Sequence, residues 1–126
     1  MSTWLSLCVG AVAGATLRWQ LGLWLAAARP TDIPWGTVLA NLSGAWLIGV
    51  LFVVFQQAEG LNPALRVALI TGFLGALTTF STFSLETLRM LQAGAVGVAA
   101  SYTLLSLGGS LLLTYLGMRM ATWATN

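Results

Sequence analysis

The sequence predicts an all-α membrane protein of four transmembrane helices. Three observations carry this: 58% of the 126 residues are hydrophobic, only 6% are charged, and the apolar residues fall into four long runs. Soluble domains carry about 25% charged residues, so the solvent for most of this chain is lipid. Crossing a hydrocarbon core of roughly 30 Å takes about 20 apolar residues. Nothing along residues 1–126 marks a second domain or a linker, so the chain reads as one four-span unit.

The first span is expected over residues 4–28 and stops at Arg29-Pro30, where charge and proline end the apolar run. No Lys or Arg precedes that run, so it reads as a permanent span rather than a cleaved leader. The second covers 33–55, ahead of the polar Gln56-Gln57-Ala58-Glu59-Gly60. The third covers 63–91, with Pro63 suited to a first helical turn, and the fourth covers 95–123. Trp4, Trp24, Trp35 and Trp123 fall near the ends of these runs, the depth that indoles prefer. Gly10 and Gly14 form a small-xxx-small pair, and Gly94, Gly97, Gly108 and Gly109 are expected to let backbones approach in the fourth span.

The third span is predicted to be broken. Gly72 to Ser84 packs two glycines and five hydroxyl residues into thirteen positions, all weak helix formers or competitors for backbone hydrogen bonds. A non-helical stretch is expected near Gly75 to Thr79. Irregular backbone at mid-membrane persists only where protein buries it or a polar cavity receives it, so a break there implies a site. The alternative is a continuous helix whose Ser and Thr bond back to carbonyls one turn earlier.

All five basic residues are arginines, and they split evenly: Arg66 and Arg119 on the side of the termini, Arg29 and Arg89 on the other, with Arg18 inside the first span. Orientation normally follows an excess of Lys and Arg in cytoplasmic loops. A chain without that excess can insert both ways, which predicts an antiparallel, dual-topology homodimer, with any pathway formed between subunits. An ordinary four-span protein with weak charge bias is the plainer alternative.

Polar residues at membrane depth are the candidate functional groups. Arg18 costs about 2.5 to 3.5 kcal/mol at the centre of a span on insertion scales, so it needs a wet vestibule, backbone carbonyls or an anion. Asn41 offers an amide with two donors, for a ligand or for another helix. Tyr102, Ser106, Ser110 and Thr114 recur every four residues and form a polar stripe about 18 Å long. Such a stripe is either a lane of hydroxyl donors or packing. Phe80 and Phe83 share a helical face and could turn positive ring edges toward an anion, although such pairs usually fill cores.

Several functions are excluded by composition. With no His, no Lys, a single cysteine and no carboxylate pair at acid/base spacing, the chain is predicted not to be an enzyme. A surplus of two positive charges is no nucleic-acid footprint. Cys8, in an apolar run, reads as an inert thiol.

These residues resemble the Fluc/CrcB fluoride channels along the whole chain. Gly10-Ala11-Val12-Ala13-Gly14-Ala15-Thr16-Leu17-Arg18-Trp19 is similar to the family's first-span motif, and Gly36-Thr37-Val38-Leu39-Ala40-Asn41-Leu42-Ser43-Gly44 matches its second. Thr78-Thr79-Phe80-Ser81-Thr82-Phe83 carries its third-span core unchanged; elsewhere Ala11 and Ala76 stand where the family has glycine, and Trp19 where it has tyrosine. The resemblance implies passive, selective fluoride export through two pores of an antiparallel homodimer in a bacterial inner membrane. It also implies fluoride contacts at Asn41, Phe80 and Phe83, and a polar track of Tyr102, Ser106, Ser110 and Thr114. A structural sodium ion would sit at the dimer interface on the main-chain oxygens of Gly75 and Thr78, and Glu86 would be an acid near the pore mouth. The competing class is a proton-coupled small multidrug exporter, which needs a carboxylate in the first span where this chain has Arg18.

Overall fold

The computed structural model describes residues 2–29, 31–58 and 60–125, and these contain helices and no strand. Four helices follow in order: α1 Thr3–Trp24, α2 Trp35–Gln57, α3 Pro63–Gln92 and α4 Val96–Thr125. The expected stop at Pro30 and the Glu59 of the second connection lie outside the described residues. Helices α2, α3 and α4 are each long and apolar enough to cross a membrane. Four spans were expected. Helix α1 falls short of that apolarity because Arg18 and Gln20 interrupt its C-terminal half.

Helix α1 also ends at Trp24 rather than near residue 28. Leu25 leaves helical geometry with φ −119° and ψ 31°. Beyond it a polar turn captures the backbone: Arg29 N–H donates to Asp32 Oδ2 at 3.0 Å, and Asp32 N–H donates to the Arg29 carbonyl at 3.0 Å. Asn62 caps α3 by accepting the Ala64 N–H at 2.9 Å, with Pro63 opening the first turn. Trp4, Trp24 and Trp123 stand at helix ends and are 77%, 72% and 83% exposed. Long exposed rows such as Leu104, Leu111 and Leu112 run down α4. Apolar side chains turned outward along helices of this length belong in lipid, and the protein is a multi-pass membrane protein.

Helix α3 is not uniform. After Pro63–Arg66 it widens into a π-helix over Val67–Leu74, returns to one α-turn at Gly75–Leu77, and resumes as Phe80–Gln92. Between those last two segments Thr78 (φ −82°, ψ 154°) and Thr79 (φ −151°, ψ 120°) are extended. Gly75, Ala76 and Leu77 keep helical geometry, so the irregular stretch is shorter than the sequence suggests.

Packing is by close backbone approach. A Cβ on Gly10 would overlap the Ala68 carbonyl, and one on Gly14 would overlap that of Phe73, so α1 fits directly against the widened turns of α3. Helices α2 and α4 interlock in the same way, with Gly49 against the Thr114 carbonyl and Gly117 against that of Trp46. The glycines expected to act in α4 mostly do not. Gly97 and Gly108 face open space within the chain, and Gly94 serves a turn at φ 75°, a conformation that suits glycine.

Gly117→Ala is therefore expected to destabilise the detergent-solubilised protein by about 1–3 kcal/mol. Gly97→Ala, on a helix and facing open space, should instead leave stability unchanged or raise it by up to about 1 kcal/mol. Equal unfolding midpoints for the two variants would contradict the interlocked α2–α4 packing.

Candidate functional site

The extended pair Thr78-Thr79 is the centre from which the site is built. Two residues of extended backbone inside apolar surroundings leave polar groups to satisfy, each costing several kcal/mol if it stays unpaired. Asn41 on α2 supplies the partner. Its Oδ1 accepts the Thr79 N–H at 2.7 Å, and its Nδ2 donates to the Thr79 carbonyl at 3.1 Å. The Thr79 side chain then starts the next helix by accepting the Thr82 N–H at 3.2 Å, as an N-cap threonine does. Its hydroxyl donates to Thr82 Oγ1 at 2.9 Å. Thr78 N–H and Oγ1–H both donate to the Leu74 carbonyl, at 3.0 and 2.9 Å.

This arrangement frees two carbonyls. In a continuous helix the Gly75 carbonyl accepts from Thr79 N–H and that of Thr78 from Thr82 N–H. Here Thr79 N–H goes to Asn41 and Thr82 N–H goes to the Thr79 hydroxyl. Both carbonyls are thus released beside a surface groove, since Gly75 is exposed and Thr78 half-buried.

The groove has a volume of about 390 Å³. Asn41, Gly75, Thr78, Phe80, Phe83, Ser106, Ser110 and Thr114 all line it. Eight of the residues marked out by sequence therefore share one space. Asn41 spends its acceptor and one N–H on Thr79, which leaves a second N–H. Ser106 Oγ is buried with no hydrogen-bond partner among the described residues. Thr114 is different, because its hydroxyl donates to the Ala45 carbonyl at 2.9 Å. Phe80 stands 71% exposed on the groove while Phe83 is 6% exposed, their ring centroids 5.6 Å apart and the planes tilted by 42°.

Tyr102 is not among the groove's lining residues. It is fully buried behind Phe83, ring centroids 5.2 Å apart, and its hydroxyl donates to Glu86 Oε2 at 2.6 Å. Thr37 Oγ1 donates to the other carboxylate oxygen at 3.0 Å. Glu86, Thr37, Thr79 and Arg18 line a second cavity of about 380 Å³. Thr79 lines both spaces and thus stands between a hydroxyl-lined groove and a chamber holding Arg18 and Glu86. A third space of about 610 Å³ at the same end holds Arg29, Asp32, Glu86 and Arg89. Arg18 faces a polar chamber, the kind of surrounding that makes a charge at membrane depth tolerable.

Sequence reasoning passed over Thr37 as a carboxylate partner and Gly44 as a lining residue. The signal was present, because Thr37, Asn41, Gly44 and Ile48 are spaced by four, three and four and so share one face of α2.

The family described as CrcB-like protein, Camphor Resistance (CrcB), matches residues 5–118. The chain belongs to the CrcB family. A relative from Marinobacter nauticus, named fluoride-specific ion channel FluC, is 55% identical over 113 residues, covering 90% of this chain and 89% of the relative. Proteins of the same name from Variovorax paradoxus and Pseudomonas paraeruginosa are 51% identical over 115 residues and 50% identical over 119. Those alignments cover 91% and 94% of this chain, and 90% and 93% of the relatives. CrcB membership gives the groove a context, since a polar lining on a membrane protein's outer face asks for an ion or a partner.

An unpaired buried hydroxyl costs about 1–3 kcal/mol. Ser106→Ala should therefore raise the stability of this CrcB chain by about 1 kcal/mol while slowing anion efflux from liposomes. A loss of stability on the same substitution would mean that the hydroxyl is bonded within the fold and is not free for an ion.

Proposed function

We propose that the chain conducts fluoride passively across a bacterial inner membrane as an antiparallel homodimer with two pores, lowering cytoplasmic fluoride. One observation carries this: donors at membrane depth, the second Asn41 N–H and the Ser106 hydroxyl, which has no partner among the described residues, line one groove that is open on one face. An open polar groove cannot face lipid, so a second copy is expected to close it. The names of relatives about half identical to this chain support fluoride as the ion. Proton-coupled drug export lacks comparable support, because α1 offers Arg18 where such exporters need a carboxylate.

In this reading all four helices, α1 included, cross the membrane, and the third is broken at Thr78-Thr79. A dehydrated anion meets amide and hydroxyl donors along Asn41, Ser106 and Ser110. At Phe80 and Phe83 the positive ring edges take over from hydroxyls. Tyr102 and Thr37 continue the path by covering the Glu86 oxygens with donors, and Arg18 compensates negative charge in the chamber beyond. The residues fit a sodium ion as well: carbonyls relieved of their helical donors are the hard oxygen ligands such a cation takes. Gly75 and Thr78 from two copies would hold it on the dimer axis, where it would fix the two subunits to each other.

Purified protein in liposomes should release fluoride with no imposed proton gradient and lose that flux after prolonged removal of Na⁺. Phe80→Ile and Phe83→Ile should each slow efflux by about tenfold or more, roughly 1.4 kcal/mol in barrier height, while the dimer persists. Undiminished flux in both variants would make the aromatic pair packing only, and exchange of cationic drugs for protons would replace the channel reading.

A further inference from the structure

The geometry points to Gly44 as a positioning residue that aims the Thr78 carbonyl, and so sets the affinity of the cation site; the inference rests on the sodium reading given above. The other α2 glycines meet backbone. Gly36 lies against the Leu21 carbonyl, where a Cβ would come within 2.8 Å, and Gly49 lies against that of Thr114. Gly44 is different, because a Cβ there would overlap the Thr78 side-chain methyl, Cγ2, with the Thr78 Cβ next at 3.8 Å and the Leu77 Cδ2 at 3.9 Å. The missing side chain of Gly44 is thus filled by the methyl of an extended residue.

That methyl cannot turn freely. The Thr78 hydroxyl is held on the Leu74 carbonyl at 2.9 Å, which fixes the side-chain rotamer and directs Cγ2 at α2. One turn earlier on the same helix face, Asn41 Oδ1 takes the Thr79 N–H at 2.7 Å. The N–H of Thr79 and the carbonyl of Thr78 belong to one peptide unit, and in a trans unit they point in opposite directions. Asn41 therefore turns the Thr78 carbonyl away from itself. Gly44 sets the other end of the same residue by admitting its methyl. A side chain at position 44 forces one of two changes: the Thr78 rotamer swings off Leu74, or the peptide between Thr78 and Thr79 rotates against the Asn41 bond. Rotation of that peptide re-aims the carbonyl directly, and loss of the Leu74 bond removes the tether that holds the Thr78 backbone in place.

The test is a Na⁺ titration of the purified full chain in detergent, read as the shift in thermal unfolding midpoint against N-methylglucamine as the inert cation. Gly44→Ala should raise the half-saturating Na⁺ concentration by about tenfold, the lower range for disturbing a residue that orients a metal ligand. Thr78→Ser removes only the methyl and keeps the hydroxyl for Leu74. The Gly44→Ala/Thr78→Ser protein should therefore titrate within about twofold of Thr78→Ser alone, the spread expected for independent sites. A Gly44→Ala protein that titrates like the wild type overturns the positioning role and leaves the sodium reading intact. A double variant as weak as Gly44→Ala also overturns it, because the methyl is then not what Gly44 admits. Should Gly44→Ala fail to fold, the double variant decides: folding with normal Na⁺ response supports the role, and failure to fold overturns it. Indifference of the wild-type protein to Na⁺ overturns the sodium reading and this role together.

Discussion

One side-chain amide accounts for two residues of extended backbone inside an apolar layer. Asn41 offers an acceptor and a donor at the spacing of a peptide group, and Thr79 presents its N–H and carbonyl to both. Without such a partner each group would cost several kcal/mol at this depth, and a continuous helix would be the cheaper structure. The consequences spread in both directions along the chain. Upstream, the Gly75 and Thr78 carbonyls lose their helical donors. Downstream, Thr79 caps Phe80–Gln92, and that cap sets the rotation of the helix bearing Phe80, Phe83 and Glu86.

The surroundings of that pair are rigid on the side away from the groove. Helix α1 presents Gly10 and Gly14 to the π-helical turns of α3, close enough that their missing side chains are filled by carbonyls. Widened turns displace backbone outward and often mark functional positions. Here the displacement is taken up by α1, so the segment leading into Thr78 is clamped from behind. Helices α2 and α4 form the second rigid pair, locked by Gly49 and Gly117 and by the bond from Thr114 to the Ala45 carbonyl. The groove lies between rigid backs, with its donors fixed in advance of any ion, and preorganised donors stabilise a charge at little reorganisation cost.

Much of this was legible in the residues. Hydroxyls and glycines crowded between Gly72 and Ser84 pointed to irregular backbone, and the four-residue period of Ser106, Ser110 and Thr114 pointed to a shared face. Tyr102 obeys the same period yet lies apart from the groove, because Phe83 packs across it and Glu86 draws its hydroxyl away. Periodicity gives the face of a helix but not what stands in front of it. The π-helix at Val67–Leu74 had no signal, since its apolar residues suit an α-helix equally and only the contact with α1 glycines selects the wider turn. The glycines of α4 were misread for a related reason: Gly97 and Gly108 match the packing motif, whereas the backbone approach falls at Gly117, and which face meets a neighbour depends on tertiary placement. The span limits of α1 shifted because a polar turn at Arg29 and Asp32 competes with the last helical turn.

The dependence of the whole site on Asn41 is most directly accessible through the amide of Thr79. Hydrogen exchange at that single position, measured on the purified protein in lipid, reports whether a side chain holds the extended backbone. With Asn41 intact the Thr79 amide should be protected, and in Asn41→Ala it should exchange about tenfold faster or more, while amides in the middle of α4 keep their protection. Equal protection of Thr79 in both proteins would show that another group holds the extended pair, and the site would then have to be rebuilt around that group.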